Sequence, residues 1–426
     1  MTNFRYDNIL DNRLGTRTEV QMAELLIRAA FNDHLVIGDL LAPSTGARLV
    51  PPRPTINQLV ADAHVAEARP ILCELAQSAG VPYLVDPNTH FLQSEVAEDD
   101  KWARLPYAQA AAIAPNTIRV ARLVAEVVGF QLEKGATTII PPYFYSSSST
   151  DPWFILSLSL IDETAQFMRD NDVQLPMLPV LCAQLQSFGN HLLWSRGLDR
   201  FIERVTGVEG SSVALCLSPA GNGQDSYGKV RRLFEATRHV KASGLRTVAW
   251  RQGIYGPGLV AAGIDGYECG MGTNEQTNVP RQQASRKPRD DGKRQGGGSG
   301  IFIETLGRSV PRRVGQILLG STKMRAKVMC DDEGCCRTVA ATLDKPREHA
   351  VRSRARLLSS LTEQPATRWR LNHVSQEAAA AVTLAVQANR VLEAVGAIER
   401  IDSRNLEALA QIAGELAEGE TTSRIA

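Results

Sequence analysis

The chain has 426 residues, 43% of them hydrophobic and 22% charged, with 47 basic and 46 acidic side chains for a formal net charge of +1. Those proportions are ordinary for a globular fold and exclude global disorder. So even a balance excludes binding to nucleic acid through overall charge and leaves only local patches for such contact.

At this length one large domain with an appendage is expected, because α/β barrels run past about 250 residues as single units. The opening MTNFRYDNILDNRLGT has no apolar core behind a basic start, and the chain has no run of about eighteen apolar residues. The expectation is therefore a cytoplasmic protein with no membrane span.

Short apolar runs then alternate with longer helical patterns, which predicts βα units around a parallel sheet. Strands are expected at 34–43 (HLVIGDLLAP), 82–91 (PYLVDPNTHF), 137–145 (TTIIPPYFY), 176–184 (PMLPVLCAQ), 212–221 (SVALCLSPAG), 246–253 (RTVAWRQG), 264–272 (IDGYECGMG) and 301–309 (IFIETLGRS). The stretch 55–80 between the first two has apolar spacing near 3.6 and a closing glycine, the pattern of helix. Eight strands suit a closed ring, and no Gly-x-Gly-x-x-Gly turn follows an early strand to support the open doubly wound alternative. The predicted fold is α/β, a (β/α)8 TIM-type barrel over 1–325, followed by a zinc-binding segment over 326–360 and a helical tail over 361–426.

Catalytic groups in such barrels sit where the strands end. That rule selects Asp39, Asp86 to His90, Tyr143 to Tyr145, Gln184, Ser218 to Gly221, Arg251 and Glu268 to Thr273. Polar residues at strand ends also cap the next helix, which is the plainer reading of each. Of the histidines outside the cysteine-rich segment, only His90 lies near a strand end. Between Thr273 and Gly300 the chain is rich in Arg, Lys, Gln and Gly, either a surface loop that cannot pack or a basic arm that meets phosphates.

Farther on, Cys330, Cys335, Cys336 and His349 form a C-x4-C-C-x12-H pattern, four ligands of the kind Zn2+ takes in a closed tetrahedron. Adjacent cysteines converge on one ion only in a tight turn, which Gly334 allows. Four protein ligands leave no open position, so the expected role is structural. From Ser375 onward Val382, Leu384, Ala385, Ala388, Val391, Leu392 and Val395 recur at helical spacing, predicting a helix against the barrel or a second subunit, with fraying final residues.

The segment Gly263 to Thr273 resembles the nucleophile strand of the tRNA-guanine transglycosylases, zinc-bearing barrels that exchange a guanine in nucleic acid for a 7-deazaguanine. Gly263, Ile264, Asp265, Cys269 and Thr273 match that strand, and Tyr267 stands where the family has Phe. The family's nucleophilic aspartate falls on Glu268, and Asn274 replaces its closing Arg. Leu215 through Arg232 and the run from Gly244 to Cys269 follow the family's order, so the resemblance covers about a quarter of the chain. It implies base exchange or removal in RNA or DNA, with Glu268 as nucleophile and Asp86 as acid/base. Gln184, Ser218, Gly221, Arg251 and Thr273 would bind substrate, and a 7-deazaguanine-type base and a nucleic acid would be the partners, in a possible homodimer. The alternatives are a non-catalytic barrel of that superfamily binding nucleic acid or protein, and a barrel enzyme acting on a small metabolite.

Overall fold

Parallel strands covered on both faces carry apolar side chains in both directions, and seven segments here do so. The computed structural model describes residues 23–41, 56–189, 191–208, 212–272, 275–288, 300–332, 335–336 and 338–422. β1 (Glu24–Ala29), β2 (Gln58–Asp62), β3 (Tyr83–Asp86), β4 (Val180–Gln184), β5 (Ser212–Ser218), β6 (Arg246–Ala249) and β7 (Gly266–Gly270) form one parallel sheet in the order β3-β2-β1-β7-β6-β5-β4. The extended stretch 137–146 fills the gap between β3 and β4. Thr138 bridges to Leu84, Ile139 to Met177 and Ser146 to Ala183, all parallel. Pro141 and Pro142 in its middle lack amide donors, so this eighth position closes the ring by isolated bridges and not by a ladder.

Around the ring lie α1 (His34–Leu41), α2 (Ala63–Ala68), α3 (Ile71–Ser78), α4 (Val120–Glu133), α5 (Pro152–Asp170), α6 (His191–Gly207), α7 (Tyr227–Ala242) and α8 (Gly256–Ala261). After β7 come α9 (Val279–Arg286), a small antiparallel hairpin β8 (Ile301–Ile303) and β9 (Arg308–Val310), then α10 (Arg312–Gly320), α11 (Thr322–Val328), α12 (Val339–Asp344), α13 (Pro346–Thr362), α14 (Thr367–Ala394) and α15 (Arg404–Thr422). The fold is the expected α/β TIM-type barrel, and among the described residues no helix is long and apolar enough to cross a membrane.

Strand periodicity sorts the side chains into two cores. Leu25, Ile27, Leu59, Ala61, Tyr83 and Val85 face the helices. Leu26, Val60, Leu84, Val180, Ala214 and Val248 point inward and fill the ring. Two residues farther along β1, β2, β3 and β7 the inward position becomes polar, with Arg28, Asp62, Asp86 and Glu268. A charged layer therefore sits on an apolar plug, at the end of the barrel where such folds do chemistry.

Several expected elements differ. Residues 34–41 are helical, because Ile37, Leu40 and Leu41 are the buried set, at helical and not alternate spacing. Within the stretch expected as one helix, the described residues 56–80 carry β2, α2 and α3, and β1 lies upstream of every expected strand. Residues 301–309 belong to the hairpin outside the ring. The expected helix after Ser375 belongs to α14, which packs on α15 and on α8 of the barrel, while α15 packs on α7. The chain's last four residues lie outside the described residues.

Candidate active site and metal centre

Arg28 is fully buried in the charged layer. Its Nε and Nη2 donate to Glu268 at 2.9 and 3.0 Å, and its Nη1 contacts Asp62 and, at 2.9 Å, Asp86. Arg251, in the loop after β6, donates its backbone N–H to Glu268 at 2.9 Å and its Nη2 to Asp62 at 2.8 Å and Asp86 at 3.3 Å. Asp86 also accepts from the Tyr143 hydroxyl at 2.7 Å, the Trp250 indole at 3.2 Å and the Asn88 amide at 3.1 Å. Burial alone would raise the pKa of Asp62 and Asp86, but the two guanidiniums outweigh it and hold both carboxyls below the usual carboxylate range. Burial, reinforced by Asp86, pushes the Tyr143 phenol up, so it stays a donor.

Beside this network lie buried polar atoms with no hydrogen-bond partner among the described residues. They are both ring nitrogens of His90, both amide atoms of Asn88, Nε of Arg251 and Oε1 of Gln252. His90 is 1% exposed, and its ring stacks on Tyr143 at 5.7 Å between centroids. Burial and the neighbouring Arg251 lower its pKa to about 3, so it is neutral at physiological pH, one nitrogen carrying a proton and the other a lone pair. Unsatisfied polar groups this deep cost free energy unless something supplies partners.

A cap closes the layer from above. Thr277 pairs with Ala220 through two backbone bonds of 2.7 and 2.9 Å, the Val279 amide donates to Ser218 Oγ at 2.8 Å, and the Val279 side chain joins the inward-facing apolar cluster. On α9, Gln283 donates to the His90 carbonyl at 2.7 Å, and Arg286 bonds Asp100 at 2.5 Å and lies 3.3 Å from His64 Nε2. The expectation that 273–300 cannot pack is thus corrected for 275–286, where Asn278 caps α9 and Val279 anchors it. Residues 289–299 and Thr273 lie outside the described residues.

The sequence-selected residues fall into groups. Glu268, Asp86 and Arg251 meet in the charged layer, where the Glu268 carboxylate is gripped by Arg28 and the Arg251 amide. Ser218 and Gly221 hold the cap. Gln184 ends β4 and bonds Ser146 and Ser187. Asp39 is exposed on α1. Sequence reasoning missed Arg28, Asp62 and His64. An arginine closing the apolar run ELLIRA was the available signal for the first.

The second cluster is the cysteine-rich one. One ligand atom each from Cys330, Cys335, Cys336 and His349 lie within 4.8 Å of one another, a grouping that could hold a metal ion. The amides of Cys335 and Cys336 both donate to the Asp332 carbonyl, at 2.9 and 3.0 Å. That tight turn brings the two adjacent sulfurs to 3.4 Å of each other and to 3.4 and 3.3 Å of His349 Nδ1. His349 Nε2 lies 2.8 Å from the Phe302 carbonyl, an outer partner that leaves Nδ1 free to ligate. Three sulfurs and one imidazole fit a tetrahedral ion with soft-ligand preference.

No family model matches the chain, and no curated protein matches it. Solved structures match it at fold level. A candidate phosphonomutase from Burkholderia cenocepacia is 13% identical, with 62% of this chain and 92% of that one covered and a TM-score of 0.32. The YdjI aldolase from Escherichia coli is 11% identical, with 80% and 90% covered and a TM-score of 0.34. The carboxyl transferase domain of Rhizobium etli pyruvate carboxylase is 10% identical, with 95% of this chain and 62% of that one covered and a TM-score of 0.37.

The transglycosylase resemblance is corrected by these findings. No such family is matched, and the structures it is similar to are named for other chemistry. The expectations that followed from it, base exchange in RNA or DNA, a nucleic-acid partner and a 7-deazaguanine-type base, fall with it.

Proposed function

We propose that this protein is an enzyme that acts on a small polar metabolite at the capped end of the barrel, with His90 as its general acid/base. The observation that carries this is a fully buried imidazole, held neutral, with neither nitrogen partnered, among other unsatisfied donors and acceptors at the strand ends. A neutral histidine can take a proton from a bound substrate and return it, work worth about 10²–10⁴-fold in rate.

Asp86 is saturated by donors and serves to hold Arg251, Tyr143 and Trp250. Glu268 holds Arg28. Three carboxylates against two guanidiniums leave the layer one negative charge in excess, which favours a neutral, hydrogen-bonding substrate over a polyanion. The Cys/His cluster fits Zn2+, which in a four-ligand site supplies rigidity and not reactivity.

Untargeted mass spectrometry of a cell-derived small-metabolite mixture tests the reading. Wild type should deplete at least one compound, and His90→Gln, folded at pH 8, should deplete it about 10²–10⁴ times more slowly. Depletion of no compound by wild type, or equal depletion by the variant, overturns it.

A further inference from the structure

The route from the metal cluster to the barrel mouth is continuous in the side-chain contacts. His349, a ligand candidate, and Arg354 both belong to α13. Arg354 is 1% exposed, donates Nη1 to the Gly253 carbonyl at 2.7 Å, and bonds Glu275, the first described residue of the cap. Glu275 also accepts from the amide and hydroxyl of Ser309 on β9, at 3.0 and 2.6 Å.

Two elements, α13 and the hairpin, therefore grip one carboxylate, and His349 of the Cys/His cluster joins the same two elements. His349 comes from α13 and faces the Phe302 carbonyl on β8, while the Arg354 guanidinium lies 4.4 Å over the Phe302 ring. On the other side of the cluster, Arg356 of α13 bonds both Cys330 and Glu304, the residue after β8.

We infer that the Cys/His metal centre sets the closed position of the cap over the barrel mouth, with Glu275 and Arg354 as positioning residues. With the metal bound, α13 and the hairpin keep a fixed separation and Glu275 sits in a preformed cradle. Without it, four polar ligand groups lose their common partner, the two elements shift, and the cap loses its anchor before the barrel loses its strands. This concerns closure alone and stands or falls separately from the turnover proposed above.

Hydrogen exchange on the full chain, zinc-loaded and after chelation, tests it. In wild type, chelation should speed exchange of the Thr277 and Val279 amides roughly tenfold while the amides of β5 and β6 keep their rates. In Arg354→Met/Glu275→Leu the cap should already exchange at the fast rate, and chelation should add nothing. An unchanged cap in chelated wild type overturns the inference whatever the variant does, as does equal acceleration in both proteins.

Discussion

His90 is surrounded by charge it does not share. Arg251 and Arg286 oppose its protonation, Asp86 and Asp62 favour it, and burial outweighs all four. An unfolded chain takes up a proton at this ring near pH 6.5, whereas the folded protein does so only near pH 3. Between those values the unfolded state binds more protons, so stability falls as pH falls, and the loss from His90 at pH 5 is about 2 kcal/mol. His64, depressed to about 4 by burial with Arg286 adding to it, works in the same direction. Urea unfolding of wild type and His90→Gln at pH 8 and pH 5 checks this, and the variant should lose about 2 kcal/mol less across that interval. Identical losses would mean that by pH 5 the ring takes up its proton in the folded protein as readily as in the unfolded chain, and that burial does not hold it neutral there.

The cap depends on one backbone position. Gly221 has φ +90°, and a Cβ there would lie 3.2 Å from Gln276 Cα and 3.3 Å from the Glu275 carbonyl, so strain and crowding act together. Gly80, at φ +65°, has nothing within 4 Å of such a Cβ and serves as the strain-only control. Gly80→Ala should cost about 1 kcal/mol and Gly221→Ala about 1–3 kcal/mol more, measured by equilibrium denaturation. Equal costs would show that the cap yields without penalty.

The cap is also where the sequence was least legible. Its polar composition reads as unpackable, yet a single valine, Val279, anchors it from the polar stretch into the ring. The strands β3 to β7 were legible because each is an apolar run bounded by turn residues. β2 was hidden because QLVAD leads directly into α2, so its alternation merges with a helical period. Without β1 and β2, Arg28 and Asp62 had no strand end to stand on. The resemblance around Glu268 located an inward carboxylate but assigned it chemistry, because a sequence does not show that an arginine 240 residues away closes on it.

At the scale of the whole molecule the apolar interior of the described residues falls into two bodies. The first is the barrel, with its helix-facing and ring-filling cores, and the second core joins the hairpin, α10, α11 and the C-terminal half of α14. The second is small, and a small core gains most from a cross-link. The Cys/His cluster sits at its edge, contributed by the chain after α11 and by α13, so an ion held there would lie where apolar area is scarce. Zinc binding to preformed ligands should therefore stabilise the second core more than the first. Elemental analysis should find about one zinc per chain in wild type and none in Cys330→Ser. Calorimetry should show the variant's second core melting earlier, as a separate low-temperature shoulder, with the barrel transition nearly in place. A single transition shifted as a whole would mean that the two cores unfold together, and absence of zinc from both proteins would leave three thiols and an imidazole with no ion to explain their convergence.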